Sequence, residues 1–318
     1  MRPAFFQPVC LPPWFRQPVP EPDKISHLKN VLRRHRLHTV CEGARCPNLG
    51  RCWGKGTATF MILGEKCTRG CRFCAVKKGV PEIVSPQEPF RLAQAVKHLN
   101  LRYVVVTSVT RDDLPDGGAG HFSRTVLAIR AACPGVRIEL LIPDFGGNRA
   151  SLETVVRSVP DVLGHNLETV PRLYALVRPR ADYARSLDIL RQAKQASPAL
   201  AVKSGIMVGM GESRAELSAA FEDLARAGCD ILTIGQYLAP HRDSAHFPVA
   251  RFVEPEEFLL MKEDALGRGI KTVQSGPLVR SSFLAEESFN DYCGRWAGAL
   301  SSPRADRKVA VYGAARKD

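Results

Sequence analysis

At 318 residues, 45% hydrophobic and 24% charged, the chain has the length of one large α/β domain or two ordinary ones and a globular balance that excludes wholesale disorder. No run approaches the roughly 18 apolar residues of a membrane span, and the proline-broken first twenty residues, MRPAFFQPVCLPPWFRQPVP, lack the apolar stretch of a secretory signal, so a cytoplasmic location is expected. The formal charge of +13 points to an anionic partner or to a surface kept soluble by repulsion.

Residues 1 to 22 carry seven prolines and the aromatic neighbours Phe5, Phe6, Trp14 and Phe15, which predicts an extended arm that packs by its aromatics. From Asp23 to Leu37 the spacing predicts a helix with Ile25, Leu28, Val31 and Leu32 on one face and Lys24, Lys29, Arg33, Arg34 and Arg36 opposite. Six of the ten cysteines follow in two triplets, Cys41, Cys46 and Cys52, then Cys67, Cys71 and Cys74. Beyond them, β-rich runs at 58–64, 102–109, 136–143, 161–166, 200–209 and 230–237 alternate with helical stretches near 88–99, 119–132, 149–158, 183–196 and 213–227. The last of these helices is the best marked, with a Ser213 and Glu216 capping box, an apolar stripe of Leu217, Phe221 and Leu224, and Gly228 as its stop.

Six strand-helix repeats are fewer than the eight of a closed barrel and fit an open, partial barrel or a doubly wound sheet; both place function at the carboxyl ends of the strands. The second cysteine triplet stands just after the first strand, at that end. With no Gly- or Ser-rich linker, the expected architecture is a partial (β/α)6 TIM-like barrel at 57–275, an N-terminal extension at 1–56 and a C-terminal tail at 276–318.

A reducing compartment disfavours disulfides and leaves clustered thiols to metals or redox chemistry. A C-x3-C-x2-C loop lets three soft thiolates hold three irons of a cubane while the fourth keeps an open position. The alternative is a zinc knob completed by a nearby His or by Cys52, although zinc favours paired two-plus-two spacing. Cys133, Cys229 and Cys293 stand outside any spacing and read as small buried hydrophobes, and Cys10 lies in the arm. His165 reads as a structural hydrogen-bonding residue, and Asp112 and Asp113 as helix-flanking acids or site residues.

The second triplet, with Phe73 before its last cysteine, resembles the radical S-adenosylmethionine enzymes. The first, in CEGARCPNLGRCW, closely resembles the lipoyl synthase family, and the likeness continues through PPWFR, TSVTRDDLPDGGA, HNLETVPRLY, VRPRADYARSL, KSGIMVGMGE, LTIGQYLAP and GPLVRSSF, almost the whole chain. That resemblance implies S-adenosylmethionine and two 4Fe-4S clusters. Cys67, Cys71 and Cys74 would bind the radical-generating cluster, and Cys41, Cys46 and Cys52 an auxiliary cluster. A serine of the RSS motif would complete the auxiliary set, Ser282 being favoured over its neighbour Ser281, with Arg280 positioning the tail by hydrogen bonds. A serine oxygen is a poorer match for iron than thiolate, so a serine-held corner is the natural place for a cluster to open.

The implied reaction inserts two sulfur atoms, at carbons 6 and 8 of an octanoyl chain held as an amide on a lysine of a lipoyl carrier domain or H protein. A deoxyadenosyl radical removes each hydrogen and the auxiliary cluster donates each sulfur. Gly117 and Gly118 would allow close backbone approach to the methionyl end of the cofactor, and Asn166, Glu168 and Arg185 are candidates for its ribose and carboxylate. Implied partners are the octanoylated carrier, docked by the basic helix around Arg33, Arg34 and Arg36, and an electron donor such as ferredoxin or flavodoxin; neither nucleic acid nor a membrane is expected. The chain departs from the family's usual RSSYHA in reading RSSFLA, and has Gly43 where a glutamate is more usual. Another sulfur-inserting radical enzyme is the nearest alternative, opposed by the first triplet occurring together with RSS. A zinc-bearing nucleic-acid-binding protein is a more distant one, opposed by the lack of basic runs with interleaved aromatics.

Overall fold

The computed structural model describes residues 11–17, 22–54, 58–240 and 245–296. Among these described residues, ten strands run in chain order: β1 (His38–Thr39), β2 (Thr59–Ile62), β3 (Lys66–Cys67), β4 (Lys77–Lys78), β5 (Tyr103–Ser108), β6 (Arg137–Leu141), β7 (Val162–Gly164), β8 (Ala201–Val208), β9 (Ile231–Gln236) and β10 (Thr272–Gly276). Eight form one open sheet in the order β1-β2-β5-β6-β7-β8-β9-β10, and β3 pairs with β4 in a separate ribbon. From β2 to β10 every neighbour is parallel, and only the short β1 runs antiparallel, against β2. Parallel strands need long crossovers, which the helices supply.

All six expected strands form within a residue or two of their expected bounds, and the helices Glu88–His98, Ala119–Ala132, Arg149–Arg157, Tyr183–Ala196 and Arg214–Arg226 take the expected crossover positions. Ser213 and Glu216 make the reciprocal capping box, while Leu217, Phe221 and Leu224 are buried. The strands are covered on both faces, so Tyr103–Ser108, YVVVTS, is a near-continuous apolar run. Four strands went unforeseen: the two-residue β1, β3 and β4, and β10, which adds a seventh parallel member, paired to β9 from Thr272↔Ile231 to Gly276↔Gly235. Helices Pro171–Val177, Pro255–Gly267 and Ala285–Trp296 were also not anticipated.

The helix Pro22–Arg34 buries Leu28, Val31 and Leu32 and leaves Arg33, Arg34 and Arg36 exposed at and just beyond its end, as its pattern predicts. Within the arm, Phe15 is buried with its ring 5.5 Å from that of Phe252. Phe5, Phe6 and Cys10 lie outside the described residues. Cys229 is buried, whereas Cys133 and Cys293 are half-buried against the core.

Tyr103, Val162, Ala201 and Ile231 open their strands, and together with Val105 they form a cluster completed by Ala285, Phe289 and Tyr292. The last described helix therefore plugs the amino-terminal end of the barrel. Above this plug, Lys203 Nζ donates to Glu139 Oε1 at 2.8 Å and Tyr103 Oη donates to Glu139 Oε2 at 2.5 Å. A buried charge persists only when paired and hydrogen-bonded in this way. The carboxyl end is left to the functional residues. Among the described residues, no helix is long and apolar enough to cross a membrane.

Candidate active site at the carboxyl ends of the strands

Strand β2 delivers the chain into the second cysteine triplet through a tight turn, with Leu63 at φ 69° and Gly64 at φ 93°. An L-residue in the left-handed region needs outside support. Leu63 receives it from Glu88, whose Oε2 accepts its N–H at 2.8 Å, and from Arg111, whose Nη1 donates to its carbonyl at 3.1 Å. Beyond the turn, Cys67, Cys71 and Cys74 are all half-buried.

Arg69, inside the triplet, clasps the loop. Its Nε and Nη2 donate to the two oxygens of Asp112 at 3.0 and 2.8 Å, and Nη2 also donates to Asp144 Oδ1 at 2.5 Å. Desolvation works against the Arg69 guanidinium, but the two carboxylates outweigh it and hold its pKa above the ordinary arginine value. Asp144, fully buried after β6, is likewise disfavoured by desolvation, yet Arg69 takes it down to about 2. Arg185 approaches the other oxygen of Asp144 at 3.6 Å. Of the two acids left open by the sequence, Asp112 belongs to this clasp, while Asp113 is bound by Arg111 at 2.8 Å.

On the far side stands Arg178, buried, donating from Nη1 to the carbonyls of Asn166 and Leu167 and to Tyr174 Oη. Desolvation opposes its charge, but Tyr174, Glu168 and the Cys71 thiol favour it and leave its pKa raised. Glu168 sits at φ 72°, its carboxyl pushed up by desolvation and drawn back by Arg178, Asn166 and Arg280. Asn166 Nδ2 donates to Glu168 Oε1 at 3.1 Å and to the Ser281 hydroxyl. Of the five expected cofactor contacts, Asn166, Glu168 and Arg185 therefore gather at this end of the sheet. Gly117 and Gly118 lie in left-handed conformations before the Ala119–Ala132 helix, and the close approach they allow is to side chains of the chain itself: a Cβ on Gly117 would meet the Phe145 ring at 3.0 Å, and one on Gly118 would meet Leu63 Cδ1 at 2.3 Å.

His165 is a structural residue, as expected. It is buried with Nδ1 bonded to the Ile142 carbonyl at 2.9 Å, and burial beside Arg178 lowers its pKa to about 4. An unfolded histidine titrates near 6.5, so between pH 6.5 and 4 the unfolded chain binds a proton that the folded chain refuses. Stability should therefore fall as the pH drops through that window, by on the order of 3 kcal/mol from this group. Urea unfolding of the metal-free chain at pH 7 and pH 4.5 would measure the loss, and His165→Gln should remove that part of the pH slope.

The first triplet lies against the tail. Thr39 accepts the N–H of Glu42 as cap of a single helical turn, Val40–Gly43, that carries the buried Cys41; Cys52 rides on the short helix Leu49–Gly54. Between them, Asn48 Nδ2 donates to the Leu278 carbonyl. Arg51 lies over the buried Phe283 ring, 5.2 Å from its centroid. Thr59 Oγ1 donates to Ser282 Oγ at 2.7 Å, and the Thr59 backbone also bonds the Cys41 thiol. Arg280 stands beside Cys46 and donates to the Val279 carbonyl at 2.7 Å; desolvation lowers its pKa below the ordinary arginine value, and Cys46 and Glu168 offset only part of that. The tail reaches this place across Gly235 of β9, where a Cβ would come within 2.0 Å of the Val279 carbonyl oxygen.

The donor sets suit iron-sulfur clusters by their chemistry: each is three soft sulfurs with a guanidinium beside it, Arg280 by Cys46 and Arg178 by Cys71. Desolvation raises the pKa of Cys41, Cys46 and Cys71, and takes Cys74 up to about 12, so the free thiols are protonated at neutral pH and cluster assembly must release those protons. Buried polar atoms without a partner also collect here: Arg178 Nε, His165 Nε2 and Thr169 Oγ1. Among the described residues, no three His, Cys, Asp or Glu side chains are grouped as a single metal ion would need.

Sequence reasoning missed Arg69, Asp144, Arg178, Thr59, Asn48 and Gly235. Arg69 lies inside the C-x3-C spacing and Asp144 in the loop after the third expected strand, so position was the available signal for both.

A family model described as the radical SAM superfamily matches residues 61–224, and one described as the N-terminal domain of lipoyl synthase of the radical SAM family matches residues 7–46. The lipoyl synthase of Chlorobaculum tepidum is 53% identical over 276 residues, 86% of this chain and 94% of its own. That of Acidithiobacillus ferrooxidans is 52% identical over 284 residues, 89% of each. Among solved structures, HydG, a maturase of the [FeFe]-hydrogenase, matches 80% of this chain and 56% of its own at 14% identity with a TM-score of 0.52. Streptococcus suis SuiB bound to S-adenosylmethionine matches 68% and 50% at 10% identity with a TM-score of 0.51; these two likenesses speak for the fold alone. With half of its residues matched by the superfamily model and relatives above half identity along nearly nine-tenths of its length, the chain belongs to the lipoyl synthase family of the radical SAM superfamily, enzymes that use S-adenosylmethionine and a 4Fe-4S cluster.

Proposed function

We propose that this chain performs lipoyl synthesis with a division of labour among its own residues. Cys67, Cys71 and Cys74 hold the radical-generating cluster, and Cys41, Cys46 and Cys52 with Ser282 hold a second. The observation that carries the second assignment is the seating of the tail: Ser282 bonds Thr59 beside Cys41, whereas Ser281 turns its hydroxyl to Asn166. Once bound, S-adenosylmethionine and the reduced cluster would supply two 5'-deoxyadenosyl radicals, from two cofactor molecules and two electrons, one for the hydrogen at each of carbons 6 and 8 of an octanoyl chain, and the second cluster would supply the two sulfurs.

The protein positions and neutralises. Arg69 holds the cysteine loop by two carboxylates, and the buried Arg178 and half-buried Arg280 set positive charge beside thiols that become anionic on ligation. Asn166, Glu168 and Arg185 form the cofactor side of the site, and Gly117 and Gly118 support it by letting Phe145 and Leu63 pack close. Arg280 is shared, facing both Cys46 and Glu168, and so orients the tail between the two halves. The division at 1–56, 57–275 and 276–318 follows from the same roles. The substrate is an octanoylated lipoyl carrier domain or H protein in the cytoplasm, and the electrons come from a protein such as ferredoxin or flavodoxin.

The test is an anaerobic assay with chain reconstituted in 34S sulfide. The reading expects lipoyl product carrying two 34S atoms from an octanoylated H protein, and none from Ser282→Ala beyond about 1% of the wild-type yield, given that misplaced reacting groups cost on the order of a hundredfold. Unlabelled sulfur in the product would overturn the donor assignment.

A further inference from the structure

The two most exposed large hydrophobic side chains among the described residues are Ile83, 98% exposed, and Val80, 86% exposed. Both lie in the segment that leaves β4, and β4 is bound to the cysteine loop itself: Lys78 pairs with Cys67, and the Gly79 N–H donates to the Cys67 carbonyl at 3.2 Å. Neither side chain joins the core, so the cost of holding both in water is unexplained by folding. Around them the charge is positive. Lys77 is exposed at 69% and pairs with Glu65 at 2.9 Å, Lys66 reaches Glu82 at 3.4 Å, and the exposed Lys78 and Arg180 have no carboxylate partner among the described residues. Arg180 donates to the Thr68 carbonyl at 2.7 Å, so it too borders the loop.

We propose that the β3–β4 ribbon and the segment to Val84 form the docking surface for an acidic one-electron donor protein. A small apolar centre with a basic rim is the composition of a transient redox contact, where complementary charge speeds encounter and little area is buried. The site also suits the task, because an electron entering at Gly79 or Lys78 reaches a cysteine ligand through one hydrogen-bonded strand pair without entering the barrel, where cofactor and substrate lie. In the transfer, one electron leaves the donor's reduced centre and the chain's cluster gains it, passing from 2+ to 1+. The proposal rests on the reading of Cys67, Cys71 and Cys74 as ligands of a reducible cluster.

The experiment follows cluster reduction in the reconstituted chain by stopped-flow absorbance, with a reduced acidic [2Fe-2S] ferredoxin as the probe and dithionite as a control that needs no docking. Lys77→Glu/Lys78→Glu should lower the second-order rate with ferredoxin about tenfold or more at low salt and flatten its salt dependence. Val80→Ser/Ile83→Ser should slow it as well, with the salt dependence kept. Both variants should match wild type with dithionite. Ferredoxin rates unchanged in both variants would overturn the proposal, as would equal losses with the two reductants. Wild-type rates kept with ferredoxin but a raised KM for octanoylated carrier would assign the surface to the carrier instead. Failure of dithionite to reduce the wild-type chain would sink the cluster reading itself, and the docking surface with it.

Discussion

Gly235→Ala should abolish sulfur insertion while leaving the first cluster in place. The new Cβ would lie 2.0 Å from the Val279 carbonyl oxygen and 2.9 Å from its carbon, both backbone atoms, so no side-chain rotation relieves the clash. The tail must lift, and with it go Arg280, the Ser281 bond to Asn166 and the Ser282 bond to Thr59. A displacement of about 1 Å at reacting groups costs on the order of a hundredfold in rate. Lipoyl formation should therefore fall at least that far, while reductive cleavage of S-adenosylmethionine without substrate persists at a rate within a few-fold of wild type. Parallel losses in both assays would mean that Gly235 supports the whole barrel rather than the tail.

Arg69→Leu should have the largest effect on stability. It strands Asp144, which has no exposure and whose remaining cation, Arg185, stands 3.6 Å away. Removing one member of a buried ion pair costs roughly 3–5 kcal/mol. The metal-free variant should lose about that much in urea unfolding, and the reconstituted variant should hold fewer irons because its cysteine loop is no longer tied to Asp112. Arg69→Leu/Asp144→Leu should recover most of the stability, since replacing both partners by apolar groups is often close to neutral, but not the iron. A single variant as stable as wild type would show that Asp144 finds another partner or protonates without cost.

Much of the barrel was legible because its strands are buried on both faces and its helices carry strong period and caps, as Ser213 and Glu216 do. Strand β10 was not: TVQSG is short and polar, and the helix before it carries the run FLLM, in which Leu259 and Leu260 are exposed, so neither period is clean. The six site cysteines announce themselves by spacing. What spacing cannot convey is that Thr59 meets Ser282 across 223 residues and Asn48 meets Leu278 across 230. Arg69 illustrates the same limit. An arginine in a basic chain carries no pattern, and only its burial between Asp112 and Asp144 marks it as structural to the site. Gly235 did leave a trace, because a glycine inside a strand signals close approach of another backbone; which backbone approaches is a fact of the fold.

The central claim is that the two triplets hold two separate clusters, and the most direct measurement is iron and sulfide per chain after anaerobic reconstitution, in wild type and in Cys67→Ala/Cys71→Ala/Cys74→Ala. Two independent 4Fe-4S sites predict about eight irons and eight sulfides falling to about four of each, since each cubane carries its own complement on its own thiolates. Four or fewer irons in the wild type, or zinc in their place, would contradict it.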